Sequence, residues 1–169
     1  ERQALAMMDH PNIAKVFEVA FREMMDANEP SVAKLFEMFK RHLATAVKAT
    51  ADGIAFHLKY QDRNEPELIL NLLSHGPVEK GVDVTKGASY FNLCIDGSGL
   101  ATVADSFAAC EQRIEKERRL SFGELRELLD SDFSGVQGEY LRCMLQRSER
   151  YCGGNTRGDI WAVKIGRAS

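Results

Sequence analysis

The four cysteines, Cys94, Cys110, Cys143 and Cys152, are the side chains best suited to nucleophilic, redox or metal chemistry in this chain. Their separations of 16, 33 and 9 residues match neither a C-x-x-C pair nor any zinc-ligand spacing. The four histidines, His10, His42, His57 and His75, contain no i,i+4 pair and no H-E-x-x-H. His42 and His57 stand fifteen residues apart on one helical pattern, too far to share an ion. Ser74 and His75 pair a nucleophile with a base in name only, because adjacent side chains do not face each other in a helix or strand. No G-x-S-x-G turn accompanies them. Gly97-Ser98-Gly99, ahead of a helical pattern, could seat a phosphate on free N–H groups. It lacks the lysine of a P-loop and a preceding strand–helix–strand unit, so it reads as the turn that opens a helix. Gly153-Gly154 reads as a helix C-cap rather than a radical or phosphate site. Spacing and chemistry therefore assign no catalytic, cofactor-binding or metal-binding residue.

The elements that hold these residues are mostly helical. Residues 1–8 read as a short helix with Ala4, Leu5 and Met8 on one side, stopped at His10-Pro11. Residues 13–17 form an apolar run of either type, and 20–27 a helix broken by Asn28-Glu29-Pro30. From Ser31 the residues Phe36, Phe39, Leu43, Val47, Thr50, Ile54 and Leu58 recur at helical spacing. That helix would run about 42 Å, with Gly53 a possible bend. Its stripe is longer than the remaining helices can cover. Leu68–Leu73 is a short helix or strand, and 81–87 a loop. Residues 90–95 are the one segment read as a strand. Leu100, Val103, Phe107, Cys110 and Ile114 then share a helix face, and the charged run 115–119 is solvated. Ser121 with Glu124 forms a capping-box signature. Two more helices follow over 136–146 and 159–165, separated by a turn at 152–155.

The chain has 22 basic and 25 acidic residues, a net charge of −3. Residues 1–84 carry 10 basic and 13 acidic groups and residues 85–169 carry 12 of each, so no basic face points to nucleic acid or anionic lipid. No apolar run reaches the length of a membrane span, and no signal-peptide pattern opens the chain. With 44% hydrophobic residues the chain is globular, and its cysteines read as free thiols of a reducing cytosol. It opens with Glu1 rather than Met, which reads as processing or as a piece of something longer.

From about residue 19 onward, the sequence carries an ordered series of blocks. Val78-Glu79-Lys80-Gly81-Val82-Asp83-Val84 is followed by Lys86-Gly87-Ala88-Ser89-Tyr90-Phe91-Asn92. Next comes Asp96-Gly97-Ser98-Gly99-Leu100-Ala101-Thr102-Val103-Ala104-Asp105-Ser106-Phe107-Ala108-Ala109. These resemble, in order, the C-I-E-[RK]-G-x-D-[IV] lead-in, the GGAxYN segment and the G-x-G-L-A-x-V-A-D-S-L-A-A helix of the pyruvate formate-lyase domain of glycyl radical enzymes. Residues 120–133 and 151–163 resemble later stretches of the same domain. Lys86 replaces a glycine of the pattern, Phe91 an asparagine, and Cys94 and Cys152 stand where glycine is usual. Those changes make turn backbone less permissive.

The first eighteen residues resemble a different family. Glu1-Arg2-Gln3-Ala4-Leu5-Ala6-Met7-Met8-Asp9-His10-Pro11-Asn12-Ile13 is similar to the end of helix C and the HPNI loop of bacterial serine/threonine kinases. Glu1 then stands at the glutamate that pairs with the nucleotide-positioning lysine. The glycine-rich loop, that lysine, HRD and DFG are all absent, so kinase activity is not expected.

Two regions follow: residues 1–18, a kinase-like stretch, and residues 19–169, a partial pyruvate formate-lyase-like domain. The expected fold is mainly α, a helical segment of an α/β glycyl radical enzyme barrel with at most one or two short strands. The resemblance implies a lyase or acyltransferase parent that stores a radical on a glycine and forms a thiyl radical on a cysteine. It also implies an anaerobic cytoplasm, an S-adenosylmethionine-dependent activating enzyme and a homodimer partner. The family's thiyl cysteine precedes the lead-in and its radical glycine lies beyond the last block. Neither has a matching position, so this chain alone is expected to be inactive and to hold no cofactor. The alternatives are a non-catalytic helical interaction module, or the remnant of a kinase fusion. An uncovered face from Phe36 to Leu58 would leave the chain marginally stable and prone to self-association.

Overall fold

A computed structural model describes residues 13–27, 30–88 and 97–167. The described residues are helical, with no strand among them, in keeping with the mainly α expectation. The expected strand at 90–95, the helix at 1–8, Cys94 and His10 lie outside the described residues. The chain divides into two compact units, one of residues 1–9 and 47–96 and the other of residues 10–46 and 97–169.

The second unit contains α1 (Ile13–Asp26) and the opening of α2 (Val32–Asn64). Then come α6 (Leu100–Ala109), a π-helical continuation (Cys110–Lys116), α7 (Phe122–Asp130), α8 (Gly135–Gln146) and α9 (Arg157–Gly166). The apolar run and the helix read separately over 13–27 are thus one helix. Helix α6 is the centre. Gly99, in the left-handed region at φ 92°, turns the chain into it, and Val103, Ala104, Phe107 and Ala108 are all buried. The two alanines leave room for neighbouring helices to approach. The Phe107 ring stacks on Trp161 at 4.6 Å and meets Phe17, Phe36 and Phe39 edge-on at 4.9, 5.6 and 5.5 Å, the offset and T-shaped arrangements aromatic quadrupoles favour.

Polar contacts fix the ends of these helices. The Glu115 carboxylate accepts from Val32 N at 2.7 Å and so satisfies an orphan donor in the first turn of α2, where negative charge is favoured. Arg22 pairs with Asp130 and Arg126 with Asp26, joining α1 to α7. Ser121 and Glu124 form the expected capping box at the start of α7. Thr156 and Asp159 form a second at α9, from the local T-x-x-D pattern. The Gly153-Gly154 turn caps no helix C-terminus: α8 is closed by Arg147, and the glycines belong to the approach to α9.

The first unit holds the rest of α2, α3 (Leu68–Leu73) and two helical turns, α4 (Pro77–Lys80) and α5 (Val84–Gly87), so residues 81–87 are not all loop. Helix α2 spans 33 residues, longer than the pattern indicated. The expected bare face from Phe36 to Leu58 is not found. Phe36 packs in the aromatic cluster, Phe39 and Leu43 are buried, and Val47, Ile54 and Leu58 are half-buried. Exposure falls instead on α3, none of whose residues is buried.

Candidate functional site

In the first unit the lead-in segment folds around Asp83. Its Oδ2 accepts from Glu67 N at 2.9 Å and Asn71 Nδ2 at 3.0 Å, and its Oδ1 from Thr85 N at 3.1 Å and Thr85 Oγ1 at 2.9 Å. Four donors occupy the roughly four lone-pair positions of a carboxylate. Burial, the largest single influence, pushes the Asp83 carboxyl up, but the hydrogen bonds from Asn71, Thr85 and Glu67 together outweigh it and hold the group down to about 2. An ionised carboxylate with every lone pair engaged is a poor proton acceptor at neutral pH. Asp83 is a clamp. Asn71 completes it by accepting from Val84 N at 2.6 Å, and Lys80 Nζ donates to Gly87 O at 2.8 Å. Lys86, which stands where the family pattern has glycine, pairs with Asp62 at 2.7 Å. A shallow hollow of about 430 Å³ lies beside them, lined in part by Asp62, Asn71, Pro77, Asp83 and Lys86.

The second unit uses acidic residues in the same way around residues 147–159. Asp105, from the V-A-D-S block, accepts from Tyr151 N at 2.7 Å and pairs with Arg150 at 2.9 Å. Asp159 accepts from Cys152 N at 2.7 Å and Thr156 N at 3.0 Å, while Thr156 Oγ1 donates to Arg150 O at 2.5 Å. The bond from Thr156 N–H is the largest influence in holding the Asp159 carboxyl below its ordinary value. From the π-helical stretch, Gln112 accepts from Glu149 N at 3.0 Å, and Arg113 donates to Ser148 Oγ at 3.0 Å and Arg147 O at 2.8 Å. Glu149 accepts from Arg157, and Glu111 Oε2 takes the Trp161 indole N–H at 2.7 Å. A hollow of about 280 Å³ beside this loop is lined in part by Thr102, Asp105, Ser106, Gln146 and Arg150.

Among the described residues, none of those weighed for chemistry is gathered into a reacting set. Cys110 is buried in the core, and burial, helped by the nearby Glu115 charge, pushes its thiol up to about 12. Cys143 is half-buried with its Sγ 3.7 Å from Glu139, and Cys152 is exposed. Cys110, Cys143 and Cys152 are free thiols, and none lines either of these hollows. His42 Nε2 lies 2.6 Å from Glu23 Oε2, an ordinary structural pair, and His57 and His75 are exposed. Ser74 closes α3 in an extended conformation. Among the described residues no three His, Cys, Asp or Glu side chains are placed to hold a metal ion, and no helix is long and apolar enough to cross a membrane. The clamps at Asp83, Asp105 and Asp159 were not singled out from sequence. The T-x-x-D pattern at 156–159 and the Asp-x-Thr pair at 83–85 were the local signals available.

Three aspartates from three sequence blocks thus hold loops for a fold of which this chain supplies helices. That fold is the glycyl radical enzyme fold. The chain belongs to the pyruvate formate lyase-like family, whose model matches residues 4–168. That match takes in most of the kinase-like stretch and lends the kinase resemblance no support. The sequence is 23% identical to trans-4-hydroxy-L-proline dehydratase of Clostridioides difficile over 114 residues, which is 67% of this chain and 14% of the relative. The crystal structure of hydroxyproline dehydratase from the same organism, with trans-4-hydroxy-L-proline bound, superposes with a TM-score of 0.78 at 23% identity. A Roseburia inulinivorans structure concerned with 1,2-propanediol dehydration gives 0.77 at 18% identity. In each case 93% of this chain covers 22% of the other. The chain thus spans about a fifth of the length of each of these two structures and about a seventh of the curated relative.

Proposed function

We propose that this chain is a non-catalytic helical section of a glycyl radical enzyme of the dehydratase kind. The observation that carries the reading is the likeness in fold to hydroxyproline dehydratase, TM-score 0.78, over 22% of that chain. The section's task is positional: Asp83 clamps the loop of its own unit, and in the other unit Asp105 and Asp159 clamp the loop before α9 while the Phe107–Trp161 stack holds α9 to α6. In such an enzyme a glycine-centred radical and a cysteine thiyl radical supply hydrogen abstraction from a small carbon substrate. Partners of the parent are an S-adenosylmethionine-dependent activating enzyme and a second subunit, in an anaerobic cytoplasm.

The test is to read the gene on both sides of this chain and assay its whole product anaerobically with an activating enzyme. A glycine-centred electron paramagnetic resonance signal from the whole product, with none from this chain alone, is expected. Flanks lacking both the cysteine segment and the radical-glycine motif would falsify the proposal.

A further inference from the structure

A third hollow, of about 270 Å³, lies wholly within the unit built around α6, where the π-helical stretch, the loop at Glu149 and α9 meet. Five charged side chains line it: Glu111, Lys116, Glu149, Arg157 and Lys164. Two of the three cations are matched. Lys116 Nζ lies 2.7 Å from Glu111 Oε1, and Arg157 holds Glu149 through its backbone N–H on Oε2 and its guanidinium on Oε1. Burial pushes the Glu111 carboxyl up, but the bonds from Lys116 and Trp161 outweigh it and hold the group below its ordinary value. Glu111 is therefore ionised at neutral pH, and both of its oxygens are engaged inside the protein.

Lys164 is the cation left over. Among the described residues no ion pair engages it, and its Nζ lies over the Trp161 ring, 4.1 Å from the centroid. Arg157 is under-satisfied as well. Its Nε is buried without a hydrogen-bond acceptor, and Glu111 Oε1 stands 3.9 Å away. A buried donor left without an acceptor is costly, more so on a charged group.

We propose that this hollow binds a short-chain monocarboxylate, with its charged end toward Lys164 and Arg157 and its hydrocarbon end on Ile160, which also lines the site. The charge count selects the ligand. Three cations against two carboxylates leave one positive charge, which a single carboxylate neutralises. A phosphate dianion would leave the site negative beside two glutamates. The volume falls just short of the roughly 300–1,000 Å³ usual for small-molecule sites, which restricts the ligand to a few carbons. The start of α9 contributes no free amide here, because Thr156 N and Arg157 N already bond to Asp159 and Glu149. The site is independent of the function proposed above.

The test titrates the 169-residue chain with sodium propionate at constant ionic strength. The readout is the indole N–H peak in a proton–nitrogen correlation spectrum, a single peak because Trp161 is the only tryptophan, and one placed beneath Lys164. Sodium chloride and inorganic phosphate are the comparison salts. We expect a saturable shift with propionate, binding at least about tenfold weaker in Lys164→Gln, and near-native binding in Lys164→Arg, since a charge-assisted hydrogen bond is worth about that factor or more. Lys164 is exposed, so neither variant disturbs the core. A shift that never saturates, or equal affinity in Lys164→Gln, overturns the proposal. Phosphate binding as tightly as propionate overturns it in favour of a general oxyanion site, and an equal shift with chloride overturns it as ionic screening.

Discussion

The backbone N of Cys152, a residue held at a left-handed φ of 65°, lies 2.7 Å from Asp159 Oδ1. A side chain in that region costs about 1–2 kcal/mol, a penalty glycine escapes. The hydrogen bond at the head of α9 is therefore made by a residue poorly suited to the conformation it requires. Glycine, usual at this position in the family pattern, would hold the same bond without strain.

Cys152→Gly should accordingly raise stability. The relief of about 1–2 kcal/mol is partly offset by the extra freedom glycine brings to the unfolded chain, about 0.4–1 kcal/mol, leaving a gain of up to about 1.5 kcal/mol. Urea unfolding of the two proteins checks it. A lower midpoint for the glycine variant would show that the thiol makes a contact that matters more than the backbone.

Gly158→Ala should be severe. A Cβ there would come within 2.2 Å of Tyr151 N and 2.5 Å of the Arg150 carbonyl carbon, both backbone atoms that cannot swing aside. Overpacking of this kind costs about 1–3 kcal/mol or more. Gly166→Ala, where nothing lies within 4 Å, serves as the control and should be neutral or slightly stabilising. Equal melting temperatures for the two variants would contradict the close approach.

Asp83 gives a pH dependence with a defined sign. Its carboxyl is held down to about 2 in the folded chain, against an unfolded value of about 3.9. The group therefore contributes stability that is fully present above about pH 5 and is progressively lost as pH falls toward 2. The shift corresponds to about 1–2 kcal/mol once solvent screening is allowed for. Asp83→Asn should be less stable at pH 7, and its disadvantage should shrink at pH 2. A difference that stays constant across that range would assign the effect to shape rather than charge.

How much of this was legible beforehand depends on the range of the interaction concerned. The Ser121–Glu124 box and the buried face through Val103, Phe107 and Ile114 are local, and the residues announce them. Asp105 and Tyr151 are 46 residues apart, and a lone aspartate in a helix gives no sign of such a partner. The π-helical stretch was also missed, because its apolar positions Cys110 and Ile114 keep α-helical spacing. The bare surface was placed on the wrong helix for a related reason. Periodicity identifies which side chains seek cover, and only the fold decides which of them find it.

The thiols should separate by reactivity. Native protein treated with iodoacetamide at pH 8 should be alkylated at exposed Cys152 and more slowly at half-buried Cys143, while Cys110 stays unmodified until the chain unfolds. Its thiol, pushed up to about 12, has almost no thiolate at that pH. Mass spectrometry of digested samples measures each site. Modification of Cys110 in folded protein would show that the α6 core opens readily.

Trp161 is the chain's single tryptophan, and it lies in the unit containing the α6 core. Excited at the red edge of protein absorption, the chain has one emitter, pressed against Phe107 and hydrogen-bonded to Glu111. Fluorescence during melting therefore follows the loosening of that unit, whereas far-ultraviolet dichroism sums every helix. If the units come apart at different temperatures, the two optical traces will diverge, and their separation measures the cooperativity between them without any label.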